Sequence, residues 1–201
     1  MLKRFTWKEN EIHSIQLKND LFIVVQVLKA PYIAVFNLKS SNPDFDNEQI
    51  DLNVFESFGV CMVLKEFLKK CSFGKIKNFK PNLNIPTPEL FISKDREQWG
   101  KSSQYADHEL IYNLVRIDPI TGDQGIMGNE IVKYNIDKKE YNSSSYEITG
   151  YNTGYEFVRR LILSIENERW IDPLKELRLL GEDNYPLKTV QEMWDAGVPK
   201  Y

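Results

Sequence analysis

The chain has few of the residues from which metal and nucleophilic sites are usually built. Among its 201 residues there are two cysteines, Cys61 and Cys71, and two histidines, His13 and His108. This spacing matches no known zinc motif. In a reducing compartment the two cysteines are expected to stay free and buried. The sequence therefore predicts no metal ion and no cofactor.

Loops that bind phosphate or calcium are also missing. The glycines between positions 122 and 128 are spaced by three, without the strand–helix setting or the lysine of a phosphate-binding loop. Residues 44–48 alternate acidic side chains as a calcium loop does, but Gln49 replaces its glycine and Phe55 its final glutamate. The chain thus offers scattered carboxylates and no compact catalytic motif.

The net charge and the hydropathy of the chain limit the classes of partner that it is expected to bind. The formal net charge is −3 and the isoelectric point is about 5.6, whereas nucleic-acid-binding domains usually carry a basic excess. No apolar run approaches the roughly 20 residues that a membrane helix needs. Lys8 and Glu9 interrupt any apolar signal segment. We expect a cytoplasmic protein that binds neither membrane nor nucleic acid.

What the chain does contain is a strand-rich N-terminal part. Ile12, Ile15 and Leu17 are spaced for a short half-buried strand, and residues 21–28 and 32–38 are apolar at nearly every position. Both runs are rich in the β-branched and aromatic side chains that fill a pleated surface. The pattern predicts consecutive antiparallel strands at the centre of a core.

Further along, the pattern alternates between strands and helices. Strands are predicted at residues 58–63, 90–92, 99–101 and 110–117, with a helix at 64–71. Thr153 and Glu156 predict a capping box at the start of a helix. Two later helices are predicted, over residues 173–180, ended by Gly181, and over 186–194.

These elements define an α+β fold. We predict a twisted antiparallel sheet, or a partial barrel, with a short helix and a C-terminal helical segment. Residues 1–141 form the sheet domain and residues 142–201 a helical extension packed on it as one globular unit. A polar connector at residues 142–145 separates the two parts.

A strongly acidic segment follows the third strand. Between residues 41 and 60 there are acidic side chains and aromatic rings but no lysine or arginine. A solvated loop is the simpler interpretation. The alternative is a docking surface for a basic protein, where carboxylates steer association and an aromatic ring supplies buried area. The predicted partner-binding residues are Asp44, Phe45, Asp46, Glu48, Asp51 and Phe55.

The order of these motifs resembles the immunity protein 26 family of bacterial polymorphic toxin and contact-dependent inhibition systems. Three stretches carry the likeness: residues 7–17, which are similar to the opening of that family; residues 26–36, similar to its central strand pair; and residues 58–92, similar to its strand, short helix and proline-preceded strand. Together they lie within residues 5–120. The resemblance implies a small, non-enzymatic cytoplasmic antitoxin that binds and neutralises a cognate toxin domain, and it implies no catalytic residue.

Two other functions stay open. One is a hydrolase that uses carboxylates such as Asp95, Asp107 or Asp118, which would require two of them to meet in a deep pocket. The other is a nucleic-acid-binding module that uses the lysines of residues 65–80, with Phe73 and Phe79 for base stacking. The acidic balance of the whole chain counts against the second.

Overall fold

The computed structural model describes residues 4–98 and 106–201, and these residues form two compact units. The first unit takes the chain up to Thr87 together with Tyr151–Ile171 and Leu187–Tyr201. The second takes Pro88–Gly150 and Asp172–Pro186. The boundary predicted at residue 141 lies inside the second unit, within a short helix. The predicted strand at residues 99–101 lies outside the described residues.

The secondary structure mixes short strands and helices along the whole described chain. The strands are β1 (Ile12–Lys18), β2 (Leu21–Val27), β3 (Tyr32–Ser40), β4 (Ile50–Asp51), β5 (Gly59–Met62), β6 (Ser72–Lys75), β7 (Phe79–Lys80), β8 (Leu90–Lys94), β9 (Tyr112–Arg116) and β10 (Glu130–Lys133). The helices are α1 (Lys65–Cys71), α2 (Gly125–Gly128), α3 (Lys138–Asn142), α4 (Gly154–Glu166), α5 (Pro173–Leu180) and α6 (Val190–Asp195). The predicted α+β class is confirmed.

The main sheet of the first unit has the order β5-β3-β2-β1-β6, with every neighbouring pair antiparallel. The strand β2 lies at its centre because its side chains are apolar on both faces, apart from Gln26. A separate short pair joins β4 to β7 in parallel. These strands form open sheets, not a closed barrel, within the described part of the chain.

One face of this sheet is covered by helices. Side chains such as Ile15, Val25 and Ile33 share a core with the apolar stripe of α4 and with α1, whose Phe67 packs edge-on against Phe157 at 4.9 Å between ring centroids. Because side chains alternate along a strand, Gln26 points to the opposite face from Val25. There it meets the segment that follows β7, and this contact positions the candidate site.

The second unit is built on a smaller antiparallel sheet with the order β10-β9-β8. Its core brings together side chains from β8, β9, α3 and α5, among them Ile92, Tyr112, Tyr141 and Leu179. Over residues 4–98 and 106–201, no helix is both long enough and apolar enough to cross a lipid bilayer.

The helix ends show which sequence signals were correct. The helix α5 begins at Pro173 and ends before Gly181, which adopts the left-handed conformation, as predicted. The predicted capping box at Thr153 is wrong, because its side chain makes no capping hydrogen bond. The predicted start of the last helix at residue 186 is also wrong, because a capping box between Thr189 and Glu192 starts α6 at Val190.

Candidate functional site

The acidic segment, residues 44–56, follows β3 as two tight turns separated by β4. The first turn spans Phe45–Asn47, and Phe45 and Asp46 both have positive φ angles of 53° and 55°. The carboxylate of Asp44 accepts a hydrogen bond from the backbone N–H of Asp46 at 3.2 Å, and the side-chain amide of Asn42 donates to the Asp46 carboxylate. Asx-type hydrogen bonds of this kind stabilise left-handed turns that most residues avoid.

Two contacts hold the acidic segment on β7. The ring of Phe45 is buried and packs edge-on against Phe79, with 5.6 Å between centroids. The carboxylate of Asp51 lies 2.8 Å from the Lys80 ammonium. The hydrogen bond from Lys80, with further ones from the backbone and side chain of Asn53, lowers the pKa of Asp51 to about 2. Phe45 therefore stabilises the fold, and Lys80 offsets the charge of Asp51.

The remaining predicted residues lie at the surface. Asp44, Asp46 and Glu48 are exposed, and so is Glu56 at the end of the segment. Among the described residues, neither Glu48 nor Glu56 forms an ion pair with a cation. The ring of Phe55 is 37% exposed. The structure thus brings exposed carboxylates and one partly exposed ring together on a single continuous stretch of chain.

A groove opens beside the last turn of the acidic segment. It has a volume of 420 Å³ and lies between residues 53–57 and residues 82–86. Val54, one of the apolar side chains that line it, is 77% exposed. Glu56 and Pro86 also line the groove. Asparagine and serine side chains complete the lining, so the groove has a mixed surface that is polar rather than mainly apolar.

Hydrogen bonds to asparagine side chains join the two segments that form the groove. Asn53 donates to the carbonyl of Pro81 at 3.1 Å and accepts from the N–H of Leu83 at 3.3 Å. The side-chain amide of Asn82 donates to the carbonyl of Leu52 at 3.3 Å. The groove is consequently formed before any partner binds.

Gln26 connects this groove to the main sheet, and sequence reasoning missed it. Its side chain is fully buried. Its Oε1 accepts from the Asn82 N–H at 2.9 Å, and its Nε2 donates to the Asn82 carbonyl at 2.8 Å and to Asn10 at 3.3 Å. The available signal was a single amide residue in the otherwise apolar run of residues 21–28, because a buried polar group needs partners.

The three carboxylates considered for a hydrolase have separate partners. Asp95 accepts from the side-chain amide of Asn113 at 2.7 Å. Asp107 lies 2.9 Å from the Lys94 ammonium. Asp118 accepts from backbone N–H groups of its own turn at 2.7 and 2.8 Å. Each of the three carboxylates therefore has its own hydrogen-bond or ion-pair partner within the fold.

The lysine-rich stretch of residues 65–80 presents exposed side chains, several of which face acids. Lys75 lies 2.8 Å from Glu11, and Lys80 pairs with Asp51. Of the two rings considered for base stacking, Phe79 is buried, and Phe73 is 48% exposed but rests edge-on against Phe22. Part of the positive charge is therefore offset within the protein.

His13 and both cysteines are buried in the fold, whereas His108 is exposed. His13 is buried, with Nδ1 at 3.0 Å from the Ser72 hydroxyl and Nε2 at 3.6 Å from the Glu11 carboxylate. Burial lowers the pKa of His13. Both cysteines are buried free thiols, and burial raises the pKa of Cys71 to about 12, which disfavours a reactive thiolate.

The chain belongs to the family described as Domain of unknown function (DUF8309), whose model matches residues 2–177. The match spans both units and ends within α5. No curated protein and no solved structure matches the chain. Since the family description carries no activity, the resemblance to immunity protein 26 remains a prediction.

Proposed function

We propose that this protein is an immunity protein that binds a cognate bacterial toxin domain in the cytoplasm and blocks its active site or substrate surface. The protein acts by binding alone, without making or breaking covalent bonds. The toxin surface that it covers is basic, as in the substrate cleft of a nuclease, because the docking surface is acidic.

The observation that carries the proposal is the exposed charge of the acidic segment. Asp44, Asp46, Glu48 and Glu56 present carboxylates to solvent on turns that are held in place by Phe45 and Asp51. A fixed array of like charges attracts an oppositely charged surface and orients it during encounter. Keeping the charges together has an electrostatic cost, and a basic partner relieves that cost.

The proposal is tested by searching the neighbouring reading frames for a large protein with a toxic C-terminal domain, and by titrating that domain into this protein, using calorimetry at low and moderate salt. The test variant replaces the exposed acids by their amides, which keep the capping oxygens of the turns. The substitutions are Asp44→Asn, Asp46→Asn, Glu48→Gln and Glu56→Gln. We expect the affinity to fall at least about tenfold and the salt dependence to become shallower, because long-range attraction is lost.

A matched control removes the same number of exposed acids elsewhere. Its substitutions are Asp20→Asn, Glu89→Gln, Glu182→Gln and Asp183→Asn, all at exposed positions. We expect this control to keep nearly the affinity of the wild type. Equal affinity and equal salt dependence for wild type, test variant and control would show that the acidic segment is not the docking surface.

A further inference from the structure

The hairpin formed by β9 and β10 carries several exposed apolar side chains. Ile120, Met127, Val132 and Tyr134 are 89%, 67%, 41% and 63% exposed. The first two belong to the loop between the strands, and the last two to β10 and the residue that follows it. Single exposed apolar side chains are normal on a protein surface, but several on one hairpin indicate an interaction surface.

The strand β10 is also an edge strand. It pairs with β9 on one side, and over residues 4–98 and 106–201 no strand pairs with its other side. An unpaired edge presents backbone N–H and C=O groups that can pair with another strand. Exposed apolar side chains and an unpaired backbone edge therefore occur together in this part of the second unit.

Hydrogen bonds fix the loop that joins the two strands. The Asp118 carboxylate accepts from the N–H of Ile120 at 2.7 Å. The Asp123 carboxylate accepts from the N–H of Gly125 at 2.8 Å and from the side-chain amide of Asn129 at 2.7 Å. The hairpin is thus ordered before any contact forms, so covering it costs less conformational entropy.

Glu130 and Lys133, the two charged residues of β10, lie on the same face of the sheet. Their partners on β9 are Arg116 and Leu114, and residues two apart on a strand point to the same face. The register shifts between the two pairs, so the two apolar middle residues of β10 form a bulge. The strand therefore has an acid at one end, a base at the other and an apolar centre.

This order of charges fits a second copy of the same strand. If two copies pair antiparallel with their bulges at the two-fold axis, Glu130 of each copy lies opposite Lys133 of the other. Opposite charges at facing positions stabilise a strand pair. A lysine on an edge strand normally opposes pairing, and the glutamate of the second copy removes that obstacle. In the same register Tyr134 faces Asn129, two residues from Met127, so the exposed apolar side chains of the two copies come together.

We propose that the chain forms a dimer through β10, in which the three-stranded sheet of the second unit continues into that of a second copy. Backbone hydrogen bonds and Val132 supply the contact, and the two charge pairs set the register. Because β10 has four residues, the interface is small and the dimer depends on protein concentration. This inference is independent of the proposed function, which uses the acidic segment.

Sedimentation velocity over a series of protein concentrations tests the dimer. We expect the mass of one chain at low concentration and of two chains at high concentration. Val132→Ser is the test variant and Val190→Ser its matched control, since both valines are 41% exposed and Val190 lies in α6. We expect Val132→Ser to weaken the dimer about tenfold and Val190→Ser to leave it unchanged.

Exchange of charges tests the register. Lys133→Glu alone and Glu130→Lys alone each place like charges opposite one another, so each should weaken the dimer at least about tenfold. A mixture of the two variants restores both opposite-charge pairs, and we expect it to form a mixed dimer about as stable as that of the wild type. The control Lys65→Glu, at an exposed position of α1, makes the same change in net charge as Lys133→Glu and should have no effect. Thermal unfolding verifies that each variant keeps its fold.

A wild-type chain that stays monomeric at every concentration would overturn the inference. The same holds for a dimer that Val132→Ser and Lys133→Glu weaken no more than their controls, because another surface would then join the copies. If the wild type is monomeric and Val132→Ser instead weakens binding of a toxin domain, a strand of the partner protein occupies the edge, and the inference is likewise wrong.

Discussion

The substitution Gln26→Leu removes the two hydrogen bonds that hold the backbone of Asn82. It also makes every side chain of β2 apolar. Leucine is close to glutamine in volume, so the change creates little cavity and little strain. The consequence for stability is then set mainly by the N–H and carbonyl of Asn82, which lose their side-chain partners at 2.9 and 2.8 Å.

The magnitude follows from the cost of unpaired backbone groups. A buried donor or acceptor without a partner costs about 1–3 kcal/mol. Asn82 is half-buried, so water can satisfy part of this loss, and we take a value near the lower end for each group. The free energy of unfolding should therefore fall by about 2–3 kcal/mol. The loop that forms the groove should also lose its fixed position.

Urea unfolding followed by tryptophan fluorescence measures the first effect, and hydrogen exchange of the Asn82 amide measures the second. The control is Gln49→Leu, at an exposed position in the acidic segment, which should change stability by less than about 0.5 kcal/mol. A Gln26→Leu protein as stable as this control, or one in which the Asn82 amide exchanges as slowly as in wild type, would refute the reasoning.

Two other substitutions test the structure. In Gly59→Ala the added methyl group would lie 2.4 Å from the Trp170 ring, so thermal unfolding should show that the free energy of unfolding falls by about 1–3 kcal/mol. The control Gly74→Ala, whose methyl group would have nothing within 4 Å, should be nearly neutral. Equal losses of stability in the two variants would contradict the packing at Gly59. Because burial lowers the pKa of His13, the unfolded chain takes up its proton first, and stability should fall by up to about 1.4 kcal/mol per pH unit below pH 6.5. Urea unfolding of His13→Gln should lack this slope; the same slope in both proteins would assign it to other groups.

Local patterns predicted the parts of the fold that depend on neighbours in sequence. The apolar runs at residues 21–28 and 32–38 became β2 and β3, and Pro173 and Gly181 bounded α5. These signals are short-range, because hydrophobic alternation and terminal residues act within a few positions of the chain.

The parts that were missed depend on contacts between distant residues. The parallel pairing of β4 with β7 joins two-residue strands almost thirty positions apart, and strands this short carry no pattern of their own. The burial of Phe45 follows from its contact with Phe79, which no local signal indicates. Likewise, composition does not indicate that the chain alternates between the two units. The chain leaves each unit and returns to it after a segment that belongs to the other unit.

The candidate site likewise has one part that the sequence indicated and one part that it did not. The acidic segment was evident from residue counts, and the structure exposes Asp44, Asp46 and Glu48 to solvent. The groove was not evident, because it forms only where Asn82 and Asn84 lie beside residues 53–57, which are distant from them in the chain. A buried amide such as Gln26 was the one available hint that a distant backbone segment crosses the sheet.

The proposal that this molecule protects cells by covering a basic toxin surface is tested most directly by a survival assay. Cells would express the toxic C-terminal domain found by the search of neighbouring reading frames, together with wild-type protein, the amide variant of the acidic segment, or its matched control. We predict that wild type and control restore growth while the amide variant, present at the same level, does so poorly. Equal rescue by all three proteins would contradict the role of the acidic segment, and no rescue by wild type would contradict the function itself.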